Sequence, residues 1–410
     1  MEIRPILSAM LRNKTGALLV ALQVALSLAI LSNALYIVVV RQAAAARPSG
    51  IQDEGAVFSI HVSPINKDEN AAKLATRRRE LAALRGVAGV VSASDVSQMP
   101  LGQSGSMTGL SPTREQLDAS ATAAFYTTST SLVGTWGLQL VEGRDFRPSD
   151  VLEVNPAIEQ PAPDTAIVTK ALAEALYPGS ASVVGKMLYY GTGPKADGAR
   201  IIGVVTRLQT IGGELGSAGE LSFIAPQIDV SNDANYTVRA EAGQRERVMR
   251  DTETALRAAN NGPVVIRSTT MDKARNDRYR ADRALSWMLI SVSALLLLVT
   301  ASGIVGIASL WVTQRRKQIG VRRALGARRI DIMRYFLTEN IMITSAGIVA
   351  GMLLALALNQ LLVSTLELAR LPPVYLLGGC GLFWALGLGA VYGPAWRAAS
   401  ISPATATRGT

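Results

Sequence analysis

The chain has 410 residues, 49% of them hydrophobic and 18% charged, with a formal net charge of +10, one cysteine and one histidine. One His and one Cys exclude the usual transition-metal ligand sets, and Cys380 has no partner for an intramolecular disulfide. The basic excess does not point to nucleic acid, because residues 42–283 carry 26 Lys/Arg against 27 Asp/Glu while the remainder carries 15 against 4.

Crossing a bilayer core of about 30 Å takes about 20 helical residues. Residues 1–16 form a short segment with Arg4, Arg12 and Lys14, and the first apolar run follows at 17–40, interrupted by Gln23 and Asn33. Ala43-Ala44-Ala45 offers a cleavage-like site. A signal-peptide core is about 7–15 residues, shorter than this run, so an uncleaved anchor is expected.

Residues 41–268 read as an α+β domain of two lobes. The strand Val57–Val62 places Phe58, Ile60 and Val62 on one face and His61 on the polar one, as an ordinary surface residue. Asn70–Arg85 reads as a helix with Leu74, Leu81 and Leu84 aligned, Asn70 as cap and Gly86 as stop, followed by a strand at Val87–Val91. Gly/Ser-rich patches at 102–109 and 212–219 and the proline-rich stretch 155–163 read as loops. Further on come strand Ala166–Thr169, helix Lys170–Leu176 ended by Tyr177-Pro178-Gly179, strand Ile201–Val205, helix Arg245–Ala259 and strand Val264–Arg267.

Residues 269–284 read as a stalk, opened by a capping box at Thr269 and Asp272. Asp272–Arg275, Asp277–Arg280 and Arg278–Asp282 stand at helical ion-pair spacing, and no Gly or Pro intervenes before the next apolar run. One helix over 270–312 would be roughly 65 Å long and would rise out of the membrane. Spans two, three and four follow at 285–312, 341–366 and 374–396. Between spans two and three, residues 313–340 include eight Arg/Lys and two acids, and residues 397–410 form a tail with Arg397 and Arg408. All basic flanks fall on one side of a four-span chain. This positive-inside pattern places both termini in the cytoplasm and residues 41–284 in the periplasm.

No catalytic constellation stands out. Gly-x-Ser-x-Gly is missing, and the nearest phosphate-loop match, Gly179–Met187, has five residues between its glycines and Met187 in place of the hydroxyl. The chain is therefore expected to have no ATPase of its own, no cofactor and no metal.

The segment after span two reads Ile319-Gly320-Val321-Arg322-Arg323-Ala324-Leu325-Gly326-Ala327, then Phe336-Leu337-Thr338-Glu339; the end carries Pro394-Ala395, Ala398, Pro403, Ala406 and Arg408. Gly143-Arg144-Asp145-Phe146, Tyr177-Pro178-Gly179, Val184-Gly185-Lys186 and Ile202-Gly203-Val204-Val205 lie between spans one and two. In these motifs and their order the chain resembles the MacB-type, FtsX-like ABC transporter permeases. The resemblance implies a permease dimer, homo- or heteromeric, that binds two separate cytoplasmic ATPase subunits carrying ATP and magnesium. It also implies mechanotransmission, in which ATPase closure moves a coupling helix, the stalks and the periplasmic domain. Export of a peptide or drug-like cargo with a periplasmic adaptor (a membrane fusion protein) and an outer-membrane channel follows. Lipoprotein release, control of envelope enzymes, or a sensor with an extracytoplasmic ligand domain remain alternatives.

On this reading the ATPase-coupling residues are Arg315, Arg316, Gln318, Ile319, Gly320, Arg322, Arg323, Ala324, Gly326 and Ala327, and the stalk residues are Asp272, Arg275, Asp277 and Arg280. Ile319, Leu325, Ile330 and Met333 are expected to seat in an apolar groove, and Arg322 and Arg323 to pair with acids on the ATPase or with lipid phosphate. Gln318, and Thr313 or Gln314, stand where relatives often have acids. The founding member carries an ATPase domain before span one, where about sixteen residues stand here.

Overall fold

The structure is a computed structural model that describes residues 14–65, 70–152, 162–191, 193, 196–228, 231, 233–366 and 370–400. Arg4, Arg12, residues 155–161 of the proline-rich loop, and Pro403, Ala406 and Arg408 lie outside them. The chain divides into two compact units: residues 43–281, and residues 1–42 with 282–410.

Helix α1 (Lys14–Ala46) contains the first span. The unit 43–281 then runs β1 (Val57–Pro64), α2 (Asn70–Arg85), β2 (Val90–Asp95), β3 (Met107–Ser111), β4 (Ala121–Thr128), α3 (Leu132–Trp136) and β5 (Leu140–Gly143). It continues with β6 (Thr165–Thr169), α4 (Lys170–Leu176), β7 (Met187–Tyr190), β8 (Asp197–Val205), β9 (Ser222–Pro226), β10 (Ala234–Ala240), α5 (Arg245–Ala259), β11 (Val264–Thr270) and α6 (Met271–Arg278).

Two sheets make the two lobes. The smaller is antiparallel, in the order β11-β1-β10-β2. Phe58, Ile60 and Val62 pack with Leu81 and Leu84 of α2 and Val248 and Leu256 of α5, as the alternation in β1 predicts. Leu74 is only half-buried. His61 bonds Asn235 at 2.8 Å and Ser63 at 3.2 Å on the other face. The larger sheet runs β5-β8-β6-β9-β4-β3-β7 and closes on itself, because β7 pairs with β8 as well as with β3. Phe125 stacks on Phe223 in this lobe, and the Tyr190 ring is tilted against both.

The strand expected at Val87–Val91 starts at Val90 and runs to Asp95. Gly89 at φ +87° and the Val90 N–H to Val87 O bond make a turn of the residues before it. The loop expected at 102–109 yields its last residues to β3. β4 and β9 gave no alternation to read because β9 is buried at every position and β4 at six of eight.

The stalk departs most from expectation. Thr270, not Thr269, caps α6, its Oγ1 accepting from Lys273 N–H. The helix then breaks at Tyr279, whose fully buried ring packs with Ala44 and Leu101. None of the three predicted helical pairs is among the ion pairs of the described residues. Arg275 instead makes a bidentate pair with Glu54 at 2.7 and 3.0 Å and donates to Ala45 O and Arg47 O at 3.0 and 2.8 Å. It thus caps the carbonyl end of α1, where a cation is favoured. Asp272 pairs with Arg245, and Asp282 with Arg41.

The membrane unit continues with α7 (Arg280–Gln314), α8 (Arg316–Ala324), α9 (Arg329–Leu366) and α10 (Pro373–Ala399). Helices α1, α7, α9 and α10 are long and apolar enough to cross a membrane. α1 is the most enclosed of the four. A Cβ on Gly347 would stand 2.7 Å from Ala21 O, and one on Gly351 would stand 3.0 Å from Ala25 Cα. These positions form a small-residue contact between α1 and α9. The polar residues of span one are used between helices: Ser27 bonds Thr300 at 2.9 Å, and Asn33 Nδ2 donates to Ala355 O at 3.1 Å.

The inter-span motifs that carry the resemblance are backbone devices. Gly143 has φ +80°, and a Cβ there would lie 2.2 Å from Ile202 O. Arg144 forks onto Asp150 at 2.6 and 3.2 Å, while Asp145 accepts from Phe146 N–H and from Ser131, the cap of α3. Gly203 packs against Arg144 O, and Tyr177 lies under the Lys186 ammonium at 4.4 Å.

Gly143→Ala is therefore expected to destabilise the protein by about 1–3 kcal/mol. Gly179→Ala, where φ is +70° but no atom lies within 4 Å of the new Cβ, should cost less. Urea midpoints of the detergent-solubilised chain, followed by tryptophan fluorescence, check the order; equal losses would refute the steric account. Asp150 makes a second prediction. Its hydrogen bond from Arg144 holds the carboxyl below the usual range. The stability this confers is present above the unfolded value of about 3.9 and is lost as pH falls through the lowered folded value. The melting difference between wild type and Arg144→Met should be evident at neutral pH and should vanish in strong acid.

Candidate functional site

The basic stretch between spans two and three folds as a short helix between two bends. α7 stops at Gln314, Arg315 is the single residue between the helices, and α8 runs from Arg316 to Ala324. The far end is a Schellman motif: Gly326 at φ +98° donates to Arg323 O at 3.2 Å, and Ala327 donates to Arg322 O at 3.0 Å. Glycine is required at that position because the left-handed region is costly for residues with a Cβ. α9 starts three residues later, its first turn tied by Arg328 N–H to Asp331 at 2.9 Å.

The predicted residues separate into an inner and an outer set. Ile319 and Gly320 are buried, and Ile319 shares a core with Ile332, Phe336, Ala395 and Ala398. Met333 and Ala327 pack against that core. Ile319 and Met333 therefore do not reach outward as expected; the chain's own helices cover them. Arg316, Lys317, Gln318, Arg322, Ala324 and Gly326 are exposed, and Arg323 is half-buried. The apolar side chains that face outward are Leu325 at 83% exposure, Val321 at 52% and Ile330 at 50%.

Arg315 belongs to the inner set. It makes a bidentate pair with Glu339 at 2.8 and 3.0 Å, and its guanidinium lies 5.8 and 5.9 Å from the centres of the Trp311 and Tyr335 rings. Arg322 lies 5.2 Å from the Tyr335 ring centre. Cations this close to aromatic faces are attracted by the ring quadrupole. A cleft of about 30 Å³ lies between α8 and α9, lined by residues that include Gln318, Arg322, Tyr335 and Phe336. Sequence reasoning missed Glu339, Trp311 and Tyr335 as parts of this site. The signal was an acid at the head of an apolar run, which needs a cation to be tolerated there.

The stalk residues Asp272 and Arg275 are engaged with Arg245 and Glu54 in the unit 43–281. A cleft of about 310 Å³ lies between α2 and the turn before β11, with Arg79 as its charged lining residue. Arg79 is engaged with Ala259 O and Thr76. Among the described residues, no group of three His, Cys, Asp or Glu is placed to hold a metal.

The MacB-like periplasmic core domain family matches residues 24–261, and the FtsX-like permease C-terminal family matches residues 290–403. This chain belongs to the MacB-type, FtsX-like permease family. The permease is 34% identical over 43% of its length to the pyoverdine export ATP-binding/permease protein PvdT of Pseudomonas syringae pv. tomato, covering 26% of that protein. It is 29% identical to PvdT of Pseudomonas savastanoi pv. phaseolicola, over 65% of this chain and 40% of that one. It is 28% identical to the macrolide export ATP-binding/permease protein MacB of Agrobacterium fabrum, over 55% of this chain and 34% of that one. The permease thus spans between a quarter and two-fifths of these relatives. Its four apolar helices and its family make it a multi-pass membrane protein with a large α/β domain between spans one and two.

The Schellman end of α8 yields a prediction. Gly326→Val puts a branched residue where φ is +98° and is expected to cost about 1–2 kcal/mol locally. Trypsin should then cleave after Arg323 several-fold faster than in wild type, with other sites unchanged. An unchanged rate would show that the turn does not hold the helix end.

Proposed function

We propose that this chain is the permease subunit of an ABC transporter and works as a dimer with two copies of a separate ATPase subunit. ATP and magnesium bind the partner, and this chain contributes no catalytic step. α8 is the coupling helix: closure of the ATPases displaces it, and the displacement passes through the spans to the domain between spans one and two. The observation that carries this reading is the outer surface of α8. Val321 and Leu325 expose apolar side chains, with Lys317 on the same face and Arg322 next to it by helical spacing, while Ile319 anchors the helix from behind. An exposed apolar patch with a polar rim suits a protein contact, and a basic rim suits an acidic partner surface.

The positive flanks support a bacterial inner-membrane protein with cytoplasmic termini and a periplasmic domain. The export functions in the names of its relatives support export as the output, with a peptide or drug-like cargo. A periplasmic adaptor and an outer-membrane channel complete the proposed assembly.

The test is co-purification from native membranes in mild detergent. The wild type should bring an ATPase subunit with it. Val321→Asp/Leu325→Asp, which touches only exposed positions, should reduce the ATPase recovered by about tenfold, the effect of losing one strong contact. Arg322→Glu/Arg323→Glu should reduce recovery most at low salt, and the deficit against wild type should shrink as salt screens the charges. A wild type that brings no ATPase overturns the proposal.

A further inference from the structure

The bend between span two and α8 falls on one residue. Arg315 has φ −96° and ψ 10°, outside both helices. Its N–H still donates to Trp311 O at 3.0 Å, and its carbonyl accepts from Ile319 N–H at 3.0 Å. The junction is thus a bend in a nearly continuous helix, and the torsions at Arg315 set the direction of α8.

The side chain of that same residue reaches a different helix. Its fork closes on both oxygens of Glu339, which is 1% exposed and heads the apolar part of α9. A third hydrogen bond, from Nη1 to the Tyr335 hydroxyl, spans 3.4 Å. A carboxylate at the head of an apolar span is tolerated only with a partner. A buried pair of this kind adds little net stability over an apolar contact of the same shape, and its attested use is to specify one geometry. Arginine suits the task because its planar fork fixes orientation as well as distance, which the lysine ammonium does not.

We propose that Arg315 and Glu339 form a positioning pair that locks the bend at Arg315, so that the end of span two, α8 and the start of span three move as one body. The inference rests on the coupling reading above and deepens it. It assigns Arg315 inward, to Glu339, whereas the outward contact belongs to Val321, Arg322 and Leu325. Without the pair, α8 pivots at Arg315 and a push on it is absorbed locally. With the pair, the push reaches both spans.

The experiment uses the co-purified complex in nanodiscs, with nitroxide labels at Trp287→Cys, an exposed position near the other end of α7, and Cys380 replaced by Ala. In the wild type, trapping with ATP and vanadate should shift the distance between the labels of the two copies. Glu339→Gln should keep the ATPase bound and hydrolysing but lose that shift. Arg315→Lys keeps the charge without the fork and should give a smaller shift with a broader distribution. Retention of the bound, hydrolysing ATPase in both variants separates positioning from general damage, because misfolding would remove the ATPase as well. A full wild-type shift in Glu339→Gln, or in Arg315→Lys, overturns the inference. A wild type without a bound ATPase overturns the coupling reading, and this inference with it.

Discussion

The membrane half depends on how closely α1 approaches its neighbours. In lipid no hydrophobic force draws helices together, so association rests on dispersion contacts and a few interhelical hydrogen bonds. Gly347 and Gly351 face Ala21 and Ala25 at distances that leave no room for a Cβ, and Gly379 faces Leu28 and Ser32 in the same way. Ser27 and Asn33 then find partners on α7 and α9. Larger side chains at these glycines would separate the backbones and leave those polar groups without acceptors in a medium that offers none.

The domain between spans one and two obeys a different constraint, that of closing sheets in tight turns. Gly143 and Gly203 lie against each other's strands, and Asp145 ties β5 to the first turn of α3. The residues that made this region recognisable are those the backbone needs, so their presence speaks for fold rather than for ligand. This agrees with the family assignment and leaves cargo recognition to surfaces that carry no motif.

Local chemistry made some elements legible and not others. α2, α4 and α5 are legible to the residue because capping or stop residues, Asn70, Gly86, Tyr177-Pro178-Gly179 and Gly262-Pro263, bracket apolar positions at helical spacing. The spans are legible from hydropathy alone, and the basic segment between spans two and three from charge density. The stalk misled for the same reason that the helices succeeded. Its i,i+3 and i,i+4 charges are a genuine local signal, but Arg275 gains two carboxylate oxygens and two helix-end carbonyls from distant chain segments. Local spacing cannot reveal that competition, nor that a buried Tyr279 ring would interrupt the helix.

At the candidate site, charge density singles out the basic segment but does not divide its residues between inside and outside. A nine-residue helix is too short to be stable by itself, so it must lend part of its surface to the scaffold. α8 lends Ile319 and Gly320 to the core beneath it, and Arg315, the residue before it, binds Glu339. What remains free is a strip one turn long, Val321 to Leu325, flanked by positive charge. The i,i+4 spacing of Val321 and Leu325 places both on one face, opposite the anchoring contact of Ile319. A helix fixed on one side and apolar on the other can transmit a push only if its ends do not yield. The Schellman turn holds one end, and the Arg315–Glu339 fork holds the other.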